Sequence, residues 1–432
     1  MSVSQESLMS SVKSLLPERV RLAREHDDVM GIRPQVVVEP ESEDEIATLL
    51  MYANKERLSV LVRGGGTQLA LGFPPTSGDI LLSTARLTRL VEHVPHDLTV
   101  TVQAGHTLAS LQQDLLKSRQ WLALDPLVRP EATMGGIVAT NSSGPRRLRY
   151  GGVRDQIIGV RVVLADGTKA KGGGKVVKNV AGYDLPKLFT GSLGTLGVIT
   201  ETTFRLYPLP TTSRTVTCIS SDVGALCSLV VQVIGTTLSP TILDISGSTA
   251  SPDYTLAVRF EASPEAVESQ CVTLTGMLQR SDAIRDIQTI RDEDETAFWS
   301  GMDARGNEQS SSSENMTVKA SILPTDVAFW LSQLTMMARQ AHLDVKWRAS
   351  AGHGLLVAHI NGDEDVLVRA VGELRQAAAT RRGSLVVLDG SMAVFQHIDV
   401  WGESPAVEVM RRIKARFDPN GLLNPGRFLG RI

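Results

Sequence analysis

A chain of 432 residues is too long for one ordinary hydrophobic core, so two domains are expected. Its 44 basic and 47 acidic residues leave a net charge of −3, and aromatics make up only 4%. That balance removes the electrostatic and base-stacking arguments for a nucleic-acid or anionic-membrane surface.

Met1 to Glu25 mixes serine, acids and bases without an apolar stretch, so it does not read as a signal peptide. Ser7 to Leu16 predicts a short helix. Val36-Val-Val-Glu-Pro40 predicts a strand stopped by proline. Ser42 and Glu45 then fit a capping box, and Ile46, Leu49, Leu50 and Ala53 follow at helical spacing. The strand after that helix, Ser59–Val62, runs into Arg63-Gly-Gly-Gly-Thr67. Such a loop is either a tight structural turn or a place where bare backbone N–H groups converge on an anion. Asp79–Ser83 and Leu98–Gln103 are further strands, and Thr107 caps a helix bearing Leu108, Leu111 and Leu115. A second small-residue region covers Ala132-Thr-Met-Gly-Gly136 and Ala139 to Gly144. Val160–Leu164 is a strand before an Asp166-Gly167 hairpin turn. Gly172–Gly174 and Gly191–Gly197 are read as loops, the latter before a strand at Val198–Tyr207.

Past Pro208–Pro210 the glycine clusters vanish and strands alternate with amphipathic helices. Tyr254–Phe260, Thr317–Ile322 and Gly354–Ile360 read as strands and Pro264–Leu278 as a helix. Asp363 caps a helix with Val366, Leu367, Ala370, Val371 and Leu374 inward and Gly383 beyond its end. Ser310–Ser313 reads as a surface loop, and no internal repeat is evident. No apolar run approaches the ~18 residues that span a bilayer. Cys218, Cys227 and Cys271 form no CxxC pair, which fits a reduced, cytoplasmic setting.

The glycines match neither common cofactor loop. Gly64-Gly-Gly-Thr-Gln-Leu69 lacks the last glycine of the Rossmann fingerprint, and Walker-type Gly-Lys-Ser/Thr is absent. Several glycine loops beside strands suggest a long ligand gripped by backbone, and FAD fits. Each backbone donor to its pyrophosphate would contribute about 1.5–3 kcal/mol.

Six motifs then occur in one order: Arg63–Thr67, Ala132–Gly136, Tyr150-Gly-Gly-Val-Arg-Asp155, Lys178-Asn-Val-Ala-Gly-Tyr-Asp184, Gly194-Thr-Leu-Gly-Val-Ile-Thr200 and Asp418-Pro-Asn-Gly-Leu-Leu-Asn-Pro-Gly426. The set resembles the FAD-linked oxidases of the vanillyl-alcohol oxidase (PCMH-type) superfamily. It is most similar to the FAD-binding E subunits (GlcE) of glycolate oxidases. The resemblance is strong over residues 36–207 and as a C-terminal signature at 411–429, and weak between. It implies an α+β fold with a two-part PCMH-type FAD-binding domain at 1–210, to which the tail 411–432 returns, and an α+β cap domain at 211–410. It implies that Arg63, Gly64, Gly65, Gly66, Thr67 and Gln68 cradle the FAD pyrophosphate. Pro126, Thr133, Gly135, Gly136 and Asn141 would line the flavin and ribityl chain. Ile199 would give backbone contacts, and Asn424 would return near the flavin. No histidine or cysteine follows Gly66 or Gly136, so non-covalent FAD is expected.

The resemblance also implies partners, a catalytic flavin subunit and an iron–sulfur subunit. The complex would act on a small 2-hydroxy acid, in the cytoplasm or at a membrane reached through those subunits. A self-sufficient D-2-hydroxy-acid dehydrogenase is the alternative. Catalytic relatives carry His-x-Gly-Asp-Gly-Asn-x-His and Gly-Glu-His-Gly. Of the matching stretches here, Ser350–Val357 keeps the glycines but loses both flanking histidines, and Leu388–Met392 has no histidine, so no metal site is expected. Oxidising a hydroxy acid needs a base for the hydroxyl proton and a cation for the carboxylate, and no such set is evident. His353 is the residual candidate, against a plain turn histidine. His106, His359 and His397 read as structural or surface residues. Lys169, Lys171, Lys175 and Lys178 read as a solvated face. Glu261 reads as a surface acid, and Arg146 and Arg147 as anion or partner contacts or surface ion pairs.

Overall fold

The computed structural model describes residues 4–126, 130–174, 182–304 and 315–432. Lys175, most of the Lys178–Asp184 motif including Lys178, and Ser310–Ser313 lie outside the described residues. The chain divides into two compact units. Unit 1 holds 1–142, 152–209 and 403–432, and unit 2 holds 143–151 and 210–402. The short stretch 143–151 therefore belongs with the second unit, a crossing that no change in composition announces.

Unit 1 is built on two main sheets. The first contains β1 (Val20–Leu22), β2 (Val36–Val38), β3 (Val60–Arg63) and β4 (Ile80–Ser83) in the order β1-β2-β4-β3. β2, β4 and β3 run parallel, and β2 and β4 are wholly buried, as uninterrupted Val/Ile/Leu runs require. The helix Glu43–Glu56 joins β2 to β3. Ser42 caps it by accepting the Glu45 N–H at 3.1 Å. The Glu45 carboxylate reaches back to the Glu41 N–H, one residue before the position a capping box uses. Ile46, Leu49, Leu50 and Ala53 are all buried against the sheet. Each of the three larger side chains contributes about 1.5–3 kcal/mol by leaving water.

The second sheet is antiparallel. It comprises β5 (Leu90–Val94), β6 (Thr99–Gln103), β8 (Ile157–Val163), β9 (Lys169–Gly173) and β10 (Val198–Arg205), in the order β5-β6-β10-β8-β9. A two-stranded ribbon pairs β7 (Gln120–Trp121) with β11 (Tyr207–Pro208). The Asp166-Gly167 turn joins β8 to β9, with Gly167 at φ +84°. Gly172 and Gly173, read as loop from sequence, are ladder residues of β9. A Cβ at Gly172 would stand 2.4 Å from Leu185, so the glycine is there for packing. The small-residue stretch after Ala132 opens a helix. Met134–Thr140 is helical, and Met134, Ile137 and Val138 are buried.

Unit 2 contains one eight-stranded antiparallel sheet with helices between its strands. Its strands are β12 (Thr212–Ser220), β13 (Ile242–Ser248), β14 (Tyr254–Ala262), β15 (Arg285–Arg291), β16 (Asn315–Ser321), β17 (Asp344–Ser350), β18 (Leu355–Asn361) and β19 (Ser384–Gly390). The order is β15-β12-β14-β13-β17-β18-β16-β19. This is the same βαββαβ pattern twice, with the two copies joined edge to edge where β13 pairs β17. The sequence shows no such repeat because the two copies share a hydrophobic pattern rather than residues. The helix Pro264–Leu278 is found as expected. The helix Glu364–Thr380 ends with Arg382 in the left-handed region, at φ +57°, in place of Gly383. No helix among the described residues is long and apolar enough to cross a membrane.

Candidate functional site

A cleft opens in unit 1 where β3 runs into its glycines. Two of those glycines are dictated by neighbours within the chain. A Cβ at Gly64 would lie 2.3 Å from Thr133 Oγ1, and one at Gly65 would lie 2.0 Å from the Glu131 carbonyl oxygen. Gly66 is required by its φ of +74°. The loop is thus pressed flat onto 131–133, and its other side faces the cleft. Among the described residues, none accepts a hydrogen bond from the N–H of Gly65, Gly66 or Thr67.

The adjoining wall is the start of helix Met134–Thr140. Thr133 caps it, its Oγ1 accepting the Gly136 N–H at 3.3 Å. Gly135 is forced by close packing, since a Cβ there would meet Ala104 Cβ at 2.7 Å. Its N–H donates to the Ala104 carbonyl at 2.8 Å. Gln68 is held by a hydrogen bond from Ser142 Oγ at 2.6 Å. Val62, Leu69, Ile137, Leu193 and Ile199 give the cleft an apolar side.

The C-terminal tail closes the cleft. Leu423 bridges to Val60 beside β3. The Asn424 side chain accepts the Val62 N–H at 2.9 Å and donates to the Leu193 carbonyl at 2.6 Å, tying β3 to the loop before β10. The buried ammonium of Lys414 donates to the carbonyls of Thr195 and Leu423 and to Asp418, at 2.8, 2.9 and 2.6 Å. Burial lowers its pKa, and Asp418 opposes that shift. Arg427 lines the cleft as its cation. It donates to the carbonyls of Leu69 and Leu71, the latter at 2.8 Å, and burial pushes it down to about 10.

Of the residues singled out from sequence, Gly64, Gly65, Gly66, Thr67, Gln68, Thr133, Gly135, Gly136, Ile199 and Asn424 are brought together in this cleft. Arg63, Pro126 and Asn141 do not line it. The Arg63 guanidinium is bound to the buried Asp27 at 3.0 Å, and Asn141 is the left-handed end of helix Met134–Thr140. Sequence reasoning missed Arg427, the residue after the Asn-Pro-Gly signature.

The remaining candidates scatter. His106 Nδ1 is paired with the Thr88 carbonyl at 2.6 Å, and His359 Nδ1 with Thr317 at 2.9 Å. His397 faces Glu364 at 3.5 Å on the surface. Lys169 pairs with Asp44, and Lys171 borders a groove on the second sheet. Glu261 is no surface acid: it is buried and accepts from Arg146 at 2.9 Å. Burial pushes its carboxyl up, but Arg146 and Arg259 together hold it below the usual value. The three cysteines are buried thiols. Burial pushes Cys218 and Cys227 up to about 12, which makes both inert as nucleophiles. Among the described residues no group of three or more His, Cys, Asp or Glu is placed to hold a metal ion.

Residues 34–172 match the family described as FAD binding domain, and residues 401–428 match that described as FAD linked oxidases, C-terminal domain. The chain is 30% identical to a D-lactate dehydrogenase of Archaeoglobus fulgidus, over 92% of each chain. It is 28% identical to the glycolate oxidase subunit GlcD of Bacillus subtilis, over 92% of this chain and 89% of that one. Its fold is similar to that of p-cresol methylhydroxylase in a substrate-bound crystal structure. The TM-score is 0.78 at 15% identity, covering 99% of this chain and 97% of that one. With the glycine loop, the Thr133 helix and the tail of the unit 1 cleft inside the matched segments and the likeness running the length of the chain, the protein belongs to the FAD-linked oxidases, as an FAD-binding oxidoreductase of PCMH-type fold.

Proposed function

We propose that the chain is the FAD-carrying subunit of a glycolate-type 2-hydroxy-acid dehydrogenase. It works beside a catalytic flavin subunit and an iron–sulfur subunit, in the cytoplasm or at a membrane reached through them. The observation that carries the reading is the donor set of the unit 1 cleft. The unpaired N–H groups of Gly65 to Thr67 and the Arg427 cation suit a pyrophosphate, and the apolar side suits a flat ring system. FAD has both parts, and when bound it supplies a two-electron acceptor.

In this reading Gly64 to Gln68 hold the pyrophosphate by backbone, and Arg63 serves through its main chain alone. Thr133, Gly135, Gly136, Ile199 and Asn424 border the flavin and its ribityl chain. Pro126 and Asn141 do not line the cleft and are given no contact with the cofactor in this reading. Neither histidine nor cysteine is found among the described lining residues, which supports non-covalent attachment. The names of the relatives support a 2-hydroxy acid as the substrate of the complex. The loss of the histidine motifs at Ser350–Val357 and Leu388–Met392 favours an E-type FAD subunit over a D-type catalytic one.

A second reading, a self-sufficient D-2-hydroxy-acid dehydrogenase, is favoured by the alignment with a D-lactate dehydrogenase over nine-tenths of both chains. Expressing the chain alone decides between the two. The purified protein should be yellow, release its flavin on acid precipitation, and turn over glycolate or D-lactate only when partner subunits are added. Robust turnover by the lone chain would move the conclusion to the second reading. Flavin that stays with the precipitate would exclude non-covalent attachment.

A further inference from the structure

Unit 2 carries a cluster of two cations and one histidine, of which only His353 falls in a stretch matched to a family motif. The short helix Arg147–Tyr150 sits directly on the turn between β17 and β18. A Cβ at Gly352 in that turn would stand 2.9 Å from Leu148 and 3.2 Å from Leu243. The segment is anchored there by the ion pair of Arg146 with buried Glu261 on β14. The next residue, Arg147, is left without a carboxylate partner among the described residues.

His353 lies in the same turn. Its ring is largely enclosed, yet neither nitrogen has a hydrogen-bond partner among the described residues. Lys319 lies on β16, where it pairs in register with Val357 of β18 and Val386 of β19. In the next row along, Ser321 pairs with Leu355, two residues beyond His353. Lys319 too has no carboxylate partner among the described residues, and the Arg147 charge acts on both Lys319 and His353. The neighbouring cation of that row, Arg348 on β17, is neutralised by Asp244 at 2.7 Å. Two cations and a bare imidazole, held together without an acid among the described residues, are an unfavourable arrangement for a chain that gains nothing from it.

We propose that Arg147, Lys319 and His353 form a binding site on unit 2 for a small carboxylate with a hydroxyl on the neighbouring carbon. The carboxylate pairs with Arg147 and Lys319, and the imidazole takes the hydroxyl hydrogen bond. Burial and the Arg147 charge push His353 down to about 4, so its ring is neutral near pH 7 and keeps a lone pair for that bond. The carboxylate part of the site stands on the cluster alone. The 2-hydroxy acid as its natural ligand rests on the function proposed above.

Oxalate, which cannot be oxidised by losing a hydride, is the probe for the cations. Calorimetric titration of the full chain should show binding. Lys319→Met and Arg147→Met should each weaken it by roughly ten- to a hundredfold, the usual worth of one charge-assisted hydrogen bond. Lys319→Arg should recover most of the loss. Arg147 is exposed, so its variant folds whether or not Lys319→Met does. No oxalate binding, or equal binding by the parent and Arg147→Met, overturns the proposal. For His353, glycolate and acetate are compared on the photoreduced protein, where glycolate is not consumed. The parent should prefer glycolate by about tenfold and His353→Phe should show no preference. Equal binding by the parent removes His353 from the site. If oxalate binding follows these variants while no 2-hydroxy acid is turned over even with the partner subunits added, the site stands and the proposed function falls.

Discussion

Arg63 shows how a residue at a motif's edge can serve the fold instead of the ligand. It ends β3 at the first glycine, where an arginine reads as a phosphate contact. Its guanidinium instead joins that of Arg21 on Asp27, a fully buried carboxylate accepting at 3.0 Å from one and 2.6 Å from the other. The Arg21 hydrogen bonds, helped by Arg63, hold Asp27 well below the usual carboxylate range. The folded pKa is depressed, so the stabilisation is present above the unfolded value and is lost as pH falls through the folded one. Unfolded aspartate titrates near about 3.9. Asp27→Asn should therefore cost about 1–3 kcal/mol at pH 7, the lower part of the range reflecting the partial exposure of Arg21. Urea midpoints from pH 7 down to 3 check this. The parent should lose its advantage below about pH 4 and the variant should change less there. Equal midpoints at pH 7 would leave Asp27 without an energetic role. Nothing local announces this pair, because Asp27 and Arg63 stand far apart in sequence. The glycines beside Arg63 were legible as a close approach, but not that the nearest surface at Gly64 and Gly65 is the chain itself.

The element that completes the cleft is the tail after helix Val407–Phe417. It adds Leu422 to Asn424 alongside β3, and Lys414 fixes it by three hydrogen bonds from one buried ammonium. Asn424→Ala would leave the Val62 N–H and the Leu193 carbonyl without their partner, and would put alanine at a φ of +45°. Each unsatisfied group costs about 1–3 kcal/mol, so the variant should unfold earlier and lose flavin on gel filtration. Arg427→Met separates charge from architecture. The folded protein should persist while the dissociation constant for FAD rises by about ten- to a hundredfold, read by fluorescence titration. A variant that binds FAD like the parent would place Arg427 with the scaffold. The helices and strands of the cleft were legible because their signals are local: Ser42 and Thr107 cap, and Leu111 and Leu115 repeat at helical spacing. The pairing of Leu423 with Val60 was legible only as a family signature. The doubled βαββαβ order of unit 2 was not legible at all, since strand order is set by contacts between segments that carry the same hydrophobic alternation.

At the scale of the whole molecule, each unit has its own sheets and its own cluster of groups suited to an anion. In unit 1 these are the N–H groups of Gly65 to Thr67 beside the Arg427 cation, and in unit 2 they are Arg147, Lys319 and His353. Chains built this way do not unfold as one two-state system. A ligand that binds one folded unit stabilises that unit by mass action, about 2.7 kcal/mol at 100 times its dissociation constant. For a unit of 150–250 residues that is a rise of roughly 5–10 °C in its transition. Scanning calorimetry of the flavin-free chain should therefore resolve two transitions. FAD should raise one of them, and Arg427→Met should blunt that rise. Oxalate should raise the other, and Arg147→Met should blunt it in turn. If FAD and oxalate move the same transition, the cofactor and the carboxylate share one cooperative unit, and the division of labour between the two sheets systems fails. If oxalate moves neither while FAD moves one, the unit 1 cleft stands as the FAD site and the cluster on unit 2 is only a charged surface of the fold.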